Sequence, residues 1–553
     1  MRLDVGYNVG AVSSIAVNGT ALLNSIAYRP LSPAATNWRW GNGSTYSRTF
    51  DNDGRVTSVS LGTVQRTYTY DPNGQVTGFT DQGPAGTKQN SFTYDEAGQL
   101  TGYSGSVGTG GYSYDANGNR LSELINGIGR TYTYFSGTNR IASVTNEWTY
   151  AYNADGNPTT DGSFFNFTYD SYGRVLTAVS PQDVSLAYTY NGLGQRVSKT
   201  VKRWQCSGGG SINSGSTPIS SHASGQTLPN ASTSTSLASA MPSQVASCSF
   251  VTTGLNQYVY DDAGHMIGEY DNVTKSWQET IWFNGQPVAT MQPSGLYYIN
   301  ADNIGTPRSI VRASDNLEVW RWDSDPFGST VATNPTSVAL TYNLRFPGQY
   351  LDVESSTHYN GMRDYRPQTG RYLQADPIGL SAGTSRYAYV QGNPLRYADP
   401  GGLWVIYIGG TGSILGGGLA ASSGGGFVFD SSGKWGTYTV VGVGGGGGGD
   451  ASFGLSIGGM INTKTGAAPA GIDDFGGPFV SGSSGLGLGP HGSIDGFYDP
   501  YSDMGGKGGG VTVGAGVGGG ASGQATNTTV TPNTLRLSDF LPNWLKPSAA
   551  SCP

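Results

Sequence analysis

A short unit recurs along the first half of this chain and limits what the chain can fold into. It reads aromatic, any residue, aromatic, Asp or Asn, two residues, Gly, and then a resumed alternation. Clear copies are Tyr68-Thr-Tyr70-Asp71-Pro-Asn-Gly74, Phe92-Thr-Tyr94-Asp95-Glu-Ala-Gly98 and Tyr112-Ser-Tyr114-Asp115-Ala-Asn-Gly118, with others at Phe167–Gly173 and Tyr258–Gly264. Degenerate copies begin at Tyr132, Tyr150 and Tyr188. The Asp positions fall roughly 20 residues apart, a period that marks repeat architectures. Within Tyr-Thr-Tyr both rings share one strand face and Thr takes the other. Asp, two residues and Gly is turn chemistry: the carboxylate accepts a backbone N–H and Gly takes positive φ. Each unit is therefore strand, tight turn, strand. An isolated hairpin is marginal, so the copies must pair edge to edge, with the tyrosines forming ladders across the sheet.

Composition agrees with an all-β chain. Only 12% of the 553 residues are charged, against about a quarter in an ordinary soluble domain. The 34 Tyr favour pleated surfaces and the 88 Gly favour turns. No long stretch has the 3.6-residue apolar period of an amphipathic helix. The net charge is −7 with no run of Lys or Arg, which argues against non-specific nucleic-acid binding by the whole chain, since phosphate neutralisation needs clustered cations. Met1–Gly10 has no apolar signal-peptide core. No run approaches the ~20 apolar residues of a membrane helix, the longest being Leu403 to Ile408.

Three cysteines are present, Cys206, Cys248 and Cys552, none in a CxxC pair, so no metal site is expected. Residues 206–250 interrupt the repeat with Ser/Gly/Ala/Thr-rich text and read as a surface insertion. Cys206 and Cys248 bracket it, as a disulfide in an oxidising compartment or as two free thiols. His222 within it reads as a solvated loop residue, and His265 and His358 as structural, with no Ser or Cys nucleophile motif beside them.

From about residue 297 the text changes. Asp302-Asn-Ile-Gly305-Thr-Pro307-Arg308 and Asp323-Ser-Asp-Pro326-Phe-Gly328 are followed by Leu344-Arg345-Phe-Pro-Gly348-Gln349-Tyr350 and His358-Tyr359-Asn360-Gly-Met-Arg363-Asp-Tyr365. Then come Gly370-Arg371-Tyr-Leu-Gln-Ala-Asp376-Pro377-Ile-Gly379-Leu380, Asn393-Pro394 and Asp399-Pro400-Gly-Gly402-Leu403. The repeats, over roughly residues 40–340, resemble the YD repeat of the Rhs/teneurin-type families. The later string resembles the Rhs repeat-associated core domain.

The resemblance implies a fold and a chemistry. It implies a YD-repeat β-hairpin shell, a spiralling antiparallel sheet over residues 1–296, closed by a core module at 297–403, with a variable segment at 404–553. In several members the core is an intramolecular aspartyl-protease-type centre that frees the variable segment. Carried onto this chain, the pair is Asp376 and Asp399, the cationic partner is Arg363, and the scissile bond is Leu403–Trp404. Carboxylate-driven amide hydrolysis needs one ionised Asp as base and one protonated Asp as acid, and two carboxyls sharing a site favour that split. Asp-Pro-x-Gly is also an ordinary turn sequence, and Arg363 also suits a purely structural ion pair. The resemblance further implies a secretion apparatus and an immunity protein as partners, a secreted or cell-surface location, and no cofactor.

Residues 404–553 are Gly-rich, with runs such as Gly444–Gly449 and period-two stretches such as Val511-Thr-Val-Gly-Ala-Gly. By the resemblance this segment is a toxin or effector; as a non-enzymatic alternative it is a spacer on an interaction scaffold. No HExxH, P-loop or GxSxG spacing occurs in it. His491, Asp495, Asp499 and Asp503 form a polar cluster, and Leu535 to Leu545 suggest a short helix capped at Ser538.

Overall fold

The computed structural model describes residues 2–401 with breaks at 9, 31–33, 147–148, 163–164, 182, 208–246, 339 and 378–383. Beyond these it describes the backbone of 405–416, 419–429, 435–462, 477–498 and 506–532. The described residues hold no α-helix. A 14-stranded antiparallel meander runs from Leu3–Asn8 to Ile141–Val144, and a 13-stranded one from Tyr150–Tyr152 to Glu318–Arg321. In both, every strand pairs with its neighbours in sequence.

Each repeat forms the expected hairpin, and Asp71 shows how. Its backbone N–H donates to the Gln75 carbonyl (3.0 Å), and the Gly74 N–H donates to its own carbonyl (3.0 Å). Its carboxylate accepts the Gln75 N–H at 2.8 Å. Gly74 sits at φ +77°, a conformation that penalises any Cβ. The first ring of each unit, among them Tyr68, Phe92, Tyr112, Tyr132 and Tyr188, is buried on the inner face, while the intervening Thr or Ser is exposed. Outer-face hydroxyls bond across strands, as in Ser113–Ser122 (2.6 Å) and Thr133–Ser143 (2.7 Å).

The second tyrosine has a further role, which follows from an irregularity in the ladder. At each turn the strand after Gly carries a bulge: Tyr70 faces Val76 while Thr69 faces Gly78, leaving Thr77 unmatched. A bulge takes local backbone groups out of the regular ladder. The carbonyl of Val76 accepts the hydroxyl of Tyr94, the second tyrosine of the next unit, at 2.8 Å. The relation repeats as Tyr70 to Val56, Tyr114 to Leu100, Tyr134 to Arg120, Tyr190 to Val175 and Tyr260 to Arg196, all at 2.6–2.8 Å.

The two sheets close on each other through aromatic packing. Trp38 stacks on Tyr46 (3.8 Å) and meets Phe283 edge-on (5.8 Å), and Trp40 stacks on Tyr298 (4.6 Å). Arg48, buried, donates to Gln286 Oε1 and to the Asp302 carbonyl across the same contact. Residues 297–321, read from the sequence as the start of the core module, supply the last strands of the second sheet, and Asp302 turns there as the repeat Asp residues do.

The core module bridges the sheets. It carries a four-stranded antiparallel sheet of Tyr350–Asp352, Thr357–Asn360, Arg363–Arg366 and Arg371–Tyr372. Its segment 384–397 runs along the tips of successive repeat turns. Arg396 donates to the Asn73 carbonyl (2.6 Å), Asn393 to Gly98 (3.0 Å), Thr384 to Asn117 (3.0 Å) and Tyr387 to Gly156 (2.7 Å). The turns thus share one rim, and this segment covers it. Beyond residue 404, five backbone strands form a separate antiparallel sheet.

Cys206 and Cys248 face each other in the Arg196–Ser207/Ser247–Tyr260 hairpin and are joined in a disulfide, so of the two readings of this pair the structure holds the bonded one. His222 lies outside the described residues. His265 stacks on Trp282 (4.4 Å) and pairs with Asp261 (2.9 Å) inside its own turn, a structural placement.

Two measurements check this architecture. Under denaturing conditions without reductant, the part of the chain before residue 403 should label at no cysteine, and after reduction at two, Cys206 and Cys248. Tyr94→Phe removes one hydroxyl that satisfies a bulge carbonyl; urea denaturation should show a loss of about 1 kcal/mol.

Candidate active site

The hairpin Thr357–Asn360/Arg363–Arg366 sets Asn360 opposite Arg363 across a two-residue turn. Arg363 is 1% exposed. Its Nη1 lies 2.7 Å from Asp376 Oδ2 and its Nη2 3.2 Å from Asp399 Oδ2. Three residues spread over 37 positions of sequence therefore meet on one guanidinium. The guanidinium also lies over the Tyr372 ring at 3.6 Å, which fixes its plane.

Both carboxylates are held from several sides. Asp376 follows the short strand Arg371–Tyr372, and its backbone N–H donates to the Arg386 carbonyl at 2.7 Å. Asp376 is sealed at 0% exposure, whereas Asp399 retains 8%. Tyr372 donates its hydroxyl to Asp399 Oδ2 at 2.7 Å. Asn360 Nδ2 donates both to the Tyr372 hydroxyl (2.7 Å) and to the Asp399 carbonyl (2.9 Å). Burial first, and then the Asp399 charge, push the Tyr372 and Tyr389 phenols well above their ordinary range. Tyr372 and Asn360 stand inside the motifs read from the sequence, yet nothing in their spacing marked them as partners of Asp399.

Two glycines let the Asp399 segment dock. Gly348 is at φ +81°, and a Cβ on it would stand 1.9 Å from the Pro400 carbonyl oxygen. Gly361, at φ +60°, would place a Cβ 2.6 Å from the Gly401 oxygen. Residues 399–401 thus lie directly on the backbone of two turns of the core module. Leu403 and Trp404, assigned from the sequence as the scissile pair, lie outside the described residues, as do Asp499, Asp503 and the 535–545 stretch; His491 and Asp495 lie in a strand described by its backbone alone.

A second buried network ties the site to the repeats. Arg196, at 0% exposure, contributes one nitrogen to Asp352 (2.6 Å) and another to Asp364 (3.0 Å), the neighbour of Arg363. It lies between the rings of Tyr188 (4.0 Å) and Tyr359 (4.1 Å). Lys199 joins Asp352 to Glu354. Burial raises the Asp352 pKa, but Arg196 and Lys199 outweigh it, so the net shift is down; at Asp364 burial prevails and the shift is up. His358 is buried against Gln349 Oε1 (2.7 Å), and burial, followed by the nearby Arg345 charge, pulls it well below the usual imidazole range. It fills the core and does not approach Asp376 or Asp399 among the contacts of the site.

The arrangement has the composition for general acid–base hydrolysis: two carboxyls held on one cation. It is also a strong crosslink. Arg363→Met leaves two buried carboxyls without their cation; denaturation should show a loss of about 3–5 kcal/mol, of which Asp376→Asn in the same chain recovers part.

The comparisons with known proteins agree with this fold. The Teneurin YD-shell family model matches residues 85–205. Double-stranded DNA deaminase toxin A of Burkholderia cenocepacia is 27% identical over 257 residues, covering 43% of this chain and 15% of that protein. Toxin protein Tse5 of Pseudomonas aeruginosa is 36% identical over 124 residues, covering 22% of this chain and 9% of that one. This chain therefore spans a minor part of the length of either relative. The crystal structure of TcdB2-TccC3 shares the fold, with a TM-score of 0.53 at 18% identity, over 72% of this chain and 21% of that one. With its chained Tyr-Asp hairpins, two facing meanders and rim-covering segment, the chain is similar in repeat and fold to the Rhs/YD-repeat proteins.

Proposed function

We propose that this chain is the shell and core of a polymorphic toxin that cuts itself between Leu403 and Trp404 and so releases residues 404–553 as the effector. The observation that carries the reading is the meeting of Asp376 and Asp399 on Arg363, with Asp399 only four residues before the assigned bond. In the reaction, one carboxylate takes a proton from water as the water oxygen adds to the Leu403 carbonyl carbon. The other carboxyl gives a proton to the departing Trp404 nitrogen as the C–N bond breaks. Arg363 holds the pair in place through both steps.

The relatives support the cargo reading. Those similar to this chain bear different activities in their names, among them a DNA deaminase toxin and the tRNA nuclease WapA of Bacillus subtilis. A common shell with an interchangeable segment accounts for that. On this reading the partners are a delivery apparatus and an immunity protein, the site of action lies outside the producing cell, and the boundaries are 1–296, 297–403 and 404–553. A second reading, a non-enzymatic scaffold with a spacer tail, is favoured by the same ion triad taken as a crosslink alone.

Mass spectrometry of the purified full chain separates the two. Cleavage predicts two species broken between Leu403 and Trp404, and one intact species for Asp376→Asn and for Asp399→Asn. Residues 404–553 expressed alone should slow bacterial growth. An intact wild-type chain with a harmless tail would leave the scaffold.

A further inference from the structure

Resting on the self-cleavage reading, we infer that Tyr372 is a positioning residue that fixes Asp399 as the general base, leaving Asp376 to supply the proton to the leaving amine. The Asp399 carbonyl is an acceptor only, so the Asn360 atom 2.9 Å from it must be the NH2 group. That same NH2 lies 2.7 Å from the Tyr372 hydroxyl, which therefore accepts from it. The phenolic proton is then directed at Asp399 Oδ2, 2.7 Å away. The Arg363 guanidinium, which has donors only, reaches the same oxygen at 3.2 Å. A phenol and a guanidinium donating to one oxygen favour the ionised form of Asp399, whereas Asp376 Oδ2 faces the guanidinium, at 2.7 Å.

Exposure gives the same assignment independently. Asp399 is the less buried of the two, at 8% against 0% for Asp376, which makes it the member better placed to meet water. The base must meet water, while the acid needs only to face the amide. The charged and titratable groups that face Asp399 include Arg363, Tyr372, Tyr389 and, across the guanidinium, Asp376. In the reaction the water proton passes to Asp399, the hydroxyl oxygen bonds to the carbonyl carbon, and the Asp376 proton goes to the amide nitrogen. The two carboxyls then hold one proton between them, as before.

The test is the pH dependence of cleavage during cell-free synthesis of the full chain, followed by gel time course. Tyr372→Phe keeps the ring against Arg363 and deletes only the donor. It should slow cleavage about tenfold, the effect of losing one charge-assisted hydrogen bond, and move the acid limb of the profile to higher pH. The sign follows because a carboxylate that loses a donor holds its proton more tightly. A more acidic fluorinated tyrosine at position 372 should move the limb to lower pH, a shift that loss of folding cannot produce. Unchanged rate and profile in both variants would overturn the role of Tyr372. Cleavage persisting in Asp376→Asn and Asp399→Asn would instead overturn the self-cleavage reading itself.

Discussion

Repetition in this chain depends on one backbone group per unit. A strand leaving an Asp-x-x-Gly turn begins with a bulge, and a bulge takes a carbonyl out of the ladder. Buried in a sheet wall, such a group is costly when unmet. The hydroxyl of the next unit's second tyrosine meets it, from Val56 and Tyr70 through to Arg196 and Tyr260. The Tyr-Asp dipeptide thus couples a turn to its predecessor: Asp closes its own hairpin while Tyr clips the previous one. Propagation therefore runs from unit to unit through these clips.

Low charge content has a structural counterpart. Many of the charges are placed inside as ion pairs: Arg66 with Asp81, Arg308 with Asp302 and Arg363 with Asp376 and Asp399, while Arg196 joins a repeat strand to the distant Asp352 and Asp364. Such pairs add little net stability over apolar packing, but they punish mispairing, because either partner left alone in the interior is expensive. In a wall of similar hairpins, where a slip by one unit keeps the tyrosine pattern, these contacts specify register.

The repeat hairpins were legible because their signal is local: a two-residue alternation, a turn with Asp and Gly, and a fixed spacing. The site was legible in part. Asp376, Asp399 and Arg363 stood in recognisable motifs. Tyr372 and Asn360 were not separable from their neighbours, since a tyrosine that donates to a carboxylate looks in sequence like any of the 34. The start of the core module was also blurred. Residues 297–321 lack the Tyr-Asp signature but keep an Asp302-x-x-Gly305 turn, and the sheet continues through them for that reason.

Placement of the site has a consequence for timing. Arg363 heads a strand whose next residue, Asp364, is held by Arg196 from a repeat strand, and Asp399 lies on the glycine turns at 348 and 361. The segment between Asp376 and Asp399 is tied to repeat turns at Asn117, Gly156, Gly98 and Asn73. The two carboxyls are therefore brought onto Arg363 by contacts that include both sheets of the shell. A chain whose walls are still open lacks those contacts to the repeat turns, and the pair is then held by the hairpin and the 399–401 segment alone.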